Sequence, residues 1–164
     1  MEKDITKKLR QKNYVICSIE DIENDVAYRG ANCKETIETI ELGHGVNQPP
    51  QSLIGNDWEV LEYAYDELRE MSPSEAEKFL SEVVPKWATK QGLNLTTDLS
   101  NAQGYAESRN GKLLVFDISQ VSEMFTPSDV HIQIKKPSEA KLVAVCDSDL
   151  GVCFCKKIIL TNFK

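Results

Sequence analysis

Gly104-Tyr105-Ala106-Glu107-Ser108-Arg109-Asn110-Gly111-Lys112-Leu113-Leu114-Val115-Phe116-Asp117-Ile118 is the stretch on which the fold class turns. Asn-Gly between two short runs is the strongest local hairpin signal, because a type I′ turn needs positive φ at both central positions. On that basis 104–109 and 112–118 are paired antiparallel strands, and the apolar period changes here from 3.6 residues to 2. Downstream, 119–125 has room for one helical turn. Val130-His131-Ile132-Gln133-Ile134 alternates cleanly until Lys135-Lys136-Pro137 ends it. Residues 141–146 and 152–160 read as a second hairpin across 147–151. About five antiparallel strands result.

Upstream the period is helical. Residues 93–101 read as a connector. Before it, Ser72-Pro73-Ser74-Glu75 offers an N-cap, a proline at N1 and a capping-box acid. Ala76, Phe79, Leu80, Val83, Val84 and Trp87 then share a face, with a kink expected at Pro85 and an end at Gly92. The preceding helix, 56–71, places Trp58, Leu61, Ala64, Tyr65, Leu68 and Met71 on one side. Glu59, Glu62, Asp66 and Glu70 fall on the other, with Tyr63 and Glu67 beside them. The two helices make an αα-hairpin in which both tryptophans supply buried area.

Nearer the start, 3–12 predicts a short helix with Ile5 and Leu9 on one face, and 14–16 a short strand. Ser18, with Asp21 three residues on, predicts an N-cap for a helix carrying Ile19, Ile22 and Val26 and ending at Gly30. Residues 33–42 fit a helix capped by Asn32, although 36–40 also alternates. Gly43-His44-Gly45 and Pro49-Pro50 mark a loop. The whole is an α+β fold: N-terminal helices, including the αα-hairpin, packed on a C-terminal antiparallel sheet of about five strands. It forms a single domain over 1–164, mainly helical in 1–92 and mainly β in 102–164.

The 164 residues suffice for a buried core, and no apolar run reaches the ~20 residues of a membrane span. The charged start at Met1-Glu2-Lys3-Asp4 lacks the apolar core of a secretory signal, so a cytoplasmic location is expected. Five cysteines, an odd number at irregular spacing, read as free thiols rather than a disulfide framework. Net charge is −7 and unevenly spread. Residues 1–12 hold five bases and two acids, whereas 17–84 hold 16 acids and four bases. Such a field repels nucleic acid and draws basic partners.

The chemistry-bearing residues favour no catalysis. Cys146-Asp147-Ser148-Asp149-Leu150-Gly151-Val152-Cys153-Phe154-Cys155 is rich in thiols and carboxylates, but its Cys-x-Cys spacing is not that of a zinc site. Asp147-Ser148-Asp149 with Gly151 reads as turn chemistry. Alternation puts Cys153 and Cys155 on one strand face and Phe154 on the other. His44 between two glycines reads as an exposed imidazole, and His131 as a solvent-facing strand residue. No P-loop, dinucleotide or nucleophile-elbow motif is present. No catalytic residue, metal or cofactor is expected.

The acids of the 56–71 helix stand apart. Glu62, Asp66 and Glu70 repel one another at four-residue spacing, by a few tenths of a kcal/mol per like-charged pair. Six acids face one base over 57–70. Glu59, Glu62, Tyr63, Asp66 and Glu70 are therefore the expected partner-binding residues, Tyr63 as an aromatic anchor. In composition the chain is similar to bacterial immunity proteins, small acidic proteins that block basic nuclease toxins. That similarity implies a non-catalytic protein that neutralises a basic partner protein and binds neither nucleic acid nor membrane. The alternative is a small enzyme or ligand-binding protein using a thiol and His44 in a pocket between helices and sheet.

Overall fold

The computed structural model describes residues 2–22, 25–46, 70–72, 74–75, 92–126 and 129–157. Among them are three α-helices and eight strands, interleaved along the chain. Helix α1 is Glu2–Gln11, α2 is Cys33–Leu42 and α3 is Leu99–Ser108. The strands are β1 (Tyr14–Cys17), β2 (Val26–Ala31), β3 (Leu93–Thr96), β4 (Lys112–Asp117), β5 (Met124–Phe125), β6 (His131–Ile134), β7 (Lys141–Asp147) and β8 (Cys153–Lys156). They form one sheet in the order β1-β8-β7-β4-β2-β3-β6-β5, with every neighbouring pair antiparallel. The fold is α+β as expected, with more strands than the five predicted. Its helices are not segregated before the sheet.

The decisive stretch folds differently from its expectation. Residues 99–108 are helical, so the only strand at the Asn-Gly pair is β4. Asp98, placed in a connector by the sequence, is the N-cap of α3, accepting from the Ser100 and Asn101 amides at 3.0 and 3.3 Å. Leu99, Ala102 and Ala106 follow at helical spacing and pack onto the sheet. Asn110 does adopt positive φ (52°), but it ends a helix there. Its amide donates to the Glu107 carbonyl and that of Gly111 to Ala106, the two bonds of a Schellman motif. A Cβ on Gly111 would lie 2.7 Å from the Ala31 carbonyl carbon, so the residue is fixed by close approach rather than by a hairpin turn.

Three further expectations are corrected. The predicted 93–101 connector contains β3, whose Leu93 and Leu95 are buried in the core. The predicted helix from Ser18 to Gly30 is one 3-10 turn, Ile19–Asp21, followed by β2. Ser18 and Asp21 do form the capping box, and Ile19, Ile22 and Val26 do share a face of the molecule. Strand formation wins because Val26, Ala27 and Tyr28 alternate between the two sheet faces. Gly30 is therefore no helix cap. A Cβ on it would sit 2.6 Å from the Ala102 carbonyl oxygen, so its smallness lets α3 lie directly on β2. The helical turn predicted within 119–125 gives way to the short edge strand β5.

Other expectations hold. Ile5 and Leu9 of α1 are buried together. Helix α2 is capped by the Asn32 side chain and ends at Gly43 in the αL region (φ 76°). Strands β6, β7 and β8 occupy their predicted places, with the turn across 148–151 held by the Asp149 carboxylate accepting from the Gly151 amide at 2.8 Å. Ser72 accepts from the Glu75 amide at 3.3 Å, the cap anticipated for the second helix of the αα-hairpin. That hairpin otherwise lies outside the described residues.

Each sheet face carries its own apolar cluster. One holds Ile5, Leu9, Ile40, Leu114, Phe116, Leu142 and Phe154 and packs beneath α1 and α2. The other holds Leu113, Val115, Val143, Ala144, Cys146, Cys153 and Cys155, with Ala102 of α3 and Ile19 and Ile22 of the 3-10 segment against it. A register shift between Val115 and Phe116 leaves Val143 unpaired in β7, which puts Val143 and Ala144 in the same cluster.

Candidate functional site

Two features hold the chemistry-bearing residues: exposed carboxylates of the 17–84 span and a sulfur cluster on the α3 face. Of the predicted partner-binding residues, Glu70 is exposed; Glu59, Glu62, Tyr63 and Asp66 lie outside the described residues. Elsewhere in the acidic span, Glu20, Asp21, Asp25, Glu38 and Glu75 are also exposed. Some of the charge is internally matched. Glu41 pairs with Lys8, which sets basic α1 against α2 and hydrogen-bonds the Glu41 carboxylate so that its pKa falls. Glu35 takes a bidentate contact from Arg29, with N···O distances of 2.6 and 2.9 Å, and the same guanidinium donates to the Asn94 carbonyl at 2.9 Å.

The two histidines lie on well-separated parts of the sheet, one at the start of β7 and one on β6. His44 is half-buried beyond the end of α2, with Nδ1 2.8 Å from the Gly45 carbonyl oxygen, and bridges to Lys141 at the start of β7. Cys146 lies five positions further along that strand, about 17 Å away at the usual rise per residue. His131 is half-buried rather than solvent-facing, close enough to Asp98 to help lower that carboxylate's pKa, after hydrogen bonds from Ser100 and Asn101. Among the described residues no group of three or more His, Cys, Asp or Glu is suited to hold a metal ion.

The cysteines are the larger correction. Cys17 and Cys155, 138 residues apart, form a disulfide with a Cα–Cα separation of 5.9 Å, within the usual range. Cys33, Cys146 and Cys153 are thiols. Cys17 lies opposite Cys153 across β1–β8, and Cys153 opposite Cys146 across β8–β7. Three cysteines thus stand in one row across three strands, with Cys155 two residues along β8 on the same face. The Asp147 amide donates to the Val152 carbonyl at 2.8 Å, so the next pair inward, Cys146–Cys153, falls at a non-hydrogen-bonded position where side chains approach closely.

The environments of these thiols differ. The Cys146 thiol hydrogen-bonds Cys153 and is buried, and both effects push its pKa up. The same hydrogen bond, with help from the Ile19 backbone amide, draws the Cys153 thiol down against its burial. The cluster was partly legible in sequence. A 148–151 turn sets Cys146 opposite Cys153, and the Cys-x-Cys alternation gives the shared face. Only the sheet order brings Cys17 alongside.

No protein-family model, curated protein or solved structure matches this chain.

Proposed function

We propose that the protein is a non-catalytic, cytoplasmic binding protein that neutralises a basic partner protein, in the manner of a bacterial immunity protein acting on a nuclease-type toxin. The observation that carries this reading is the charge imbalance of 17–84, where 16 acids stand against four bases. Stability does not account for it. Like charges at helical four-residue spacing cost a few tenths of a kcal/mol per pair, and mixing in lysine would relieve them. A one-signed surface instead accelerates encounter with an oppositely charged protein and disfavours wrong partners.

The described acids divide in a way that supports this. Glu35 is half-buried against Arg29, while Glu20, Asp21, Asp25, Glu38, Glu41, Glu70 and Glu75 are exposed, Glu41 in a surface pair with Lys8. Glu59, Glu62, Tyr63, Asp66 and Glu70 are assigned the contact, the tyrosine as its apolar anchor. The test is the double substitution Glu59→Lys, Glu62→Lys. Affinity for the captured partner should fall at least about tenfold, and the salt dependence of association should flatten, with the circular dichroism spectrum unchanged. Unchanged affinity and salt dependence would remove this face from the interface.

A further inference from the structure

The sulfur cluster does something the acidic surface does not require. Four cysteines of β1, β7 and β8 share one face beneath the Ser18–Ile22 turn, yet only two of them are bonded. As packing residues alone, four cysteines offer nothing that alanine or valine would not. A buried pair of thiols beside a disulfide has a chemistry of its own. The thiolate, not the thiol, attacks a disulfide, through an intermediate in which the attacked sulfur changes partner.

The arrangement is graded from inside to outside. Cys146, Cys153 and Cys155 are all buried, whereas Cys17, on the outermost strand, is only half-buried. Cys153 occupies the middle position, with Cys17 on one neighbouring strand and Cys146 on the other. Directly opposite residues on antiparallel strands hold their Cβ atoms about 4.5–5.5 Å apart, against about 3.5–4.5 Å across a disulfide, so bonding takes an approach of the strands by about 1 Å. Two alternative disulfides are therefore within reach of a small strand movement, Cys146–Cys153 at a non-hydrogen-bonded position and Cys17–Cys153 at a hydrogen-bonded one, where the strands must close further.

We propose that these four sulfurs form an internal disulfide relay, which carries the bond from the sheet edge, Cys17–Cys155, to the interior pair Cys146–Cys153 and leaves a reactive thiolate at Cys17. In the first step the Cys153 thiolate attacks Cys17. The Cys153–Cys17 bond forms, the Cys17–Cys155 bond breaks, and the electron pair leaves on Cys155. In the second step Cys146 gives its proton to Cys155 and attacks Cys153. The Cys146–Cys153 bond forms, and the pair leaves on Cys17. One disulfide, one thiol and one thiolate stand on each side of the sequence, so no external oxidant or reductant takes part. The hydrogen bonds from Cys146 and the Ile19 amide, which favour the Cys153 thiolate, provide the nucleophile where the relay begins.

Trapping tests the relay. The full chain is purified without reductant, held under argon with iodoacetamide at about pH 7 and about pH 9, then digested without reduction and mapped by mass spectrometry. The expected result is accumulation of the Cys146–Cys153 linkage with Cys17 and Cys155 alkylated, faster at the higher pH. In Cys153→Ala the Cys17–Cys155 linkage should persist and Cys17 labelling should be lost. A wild-type chain whose sole linkage stays Cys17–Cys155 throughout overturns the relay, as does a chain isolated with no disulfide. The wild-type map decides the matter even if the variant folds poorly. Loss of partner binding in the charge-reversed protein, or its retention, leaves this result untouched.

Discussion

At the scale of single residues, the contacts that matter most are those where one atom more or less changes the fold. Gly30 has the α3 backbone above it, and an added Cβ would meet the Ala102 carbonyl at 2.6 Å. Gly30→Ala should cost about 1–3 kcal/mol, as overpacking does, measured by urea unfolding. Wild-type stability in that variant would mean that α3 does not lie directly on β2. Tyr14 is buried and donates to the Leu142 carbonyl at 3.3 Å, and burial pushes its pKa up. Its folded pKa is above the unfolded value, so its contribution is present below about pH 10 and is lost as pH rises beyond that. Tyr14→Phe should therefore lose less stability than wild type between about pH 9 and pH 11, read from thermal midpoints; parallel losses would contradict this. Such residues are hard to see in sequence. Gly30 reads as a helix terminus until its strand and the overlying helix are both known.

At the scale of elements, the Arg29–Glu35 pair joins α2 to β2, and the Arg29 bond to Asn94 extends the tie to β3. Both side chains are nearly buried, at 11% and 15% exposure. Arg29→Ala removes the bidentate partner of the nearly buried Glu35 carboxylate and should cost about 3–5 kcal/mol by denaturant unfolding. A loss below about 1 kcal/mol would mean that the pair behaves as a surface ion pair. A second tie runs from Lys112 to Asp147 at 2.6 Å and to Glu2 of α1. Burial pulls the Lys112 ammonium down, but its hydrogen bonds to the two carboxylates outweigh it and the net shift is upward.

Elements whose period and caps agree were readable: α1, α2, β6 and the β7–β8 hairpin. Helix α3 was misread because its apolar positions are mostly alanine, a weak periodic signal, and because an Asn-Gly pair serves a Schellman ending as well as a hairpin. Strand β3 is four residues long and took its identity from the neighbours β2 and β6. The disulfide joins residues 138 apart, a proximity that no local pattern encodes.

At the scale of the molecule, the described residues form a wide antiparallel sheet covered on both faces, with a sulfur cluster buried on one of them. The sequence made the charge legible, because a net of −7 concentrated in one span needs no fold to be seen. The pairing of Glu41 with Lys8 and of Glu35 with Arg29 follows only from the fold. Among the described residues no helix is long and apolar enough to cross a membrane. The central proposal is that the acidic 17–84 span receives a basic protein, and capture at low salt tests it most directly. The tagged chain is used as bait in its native lysate and eluted with a salt gradient, the eluate being identified by mass spectrometry. The account predicts one basic protein in stoichiometric amount, released as salt rises. Recovery of no basic partner, or of one whose release ignores salt, would contradict it.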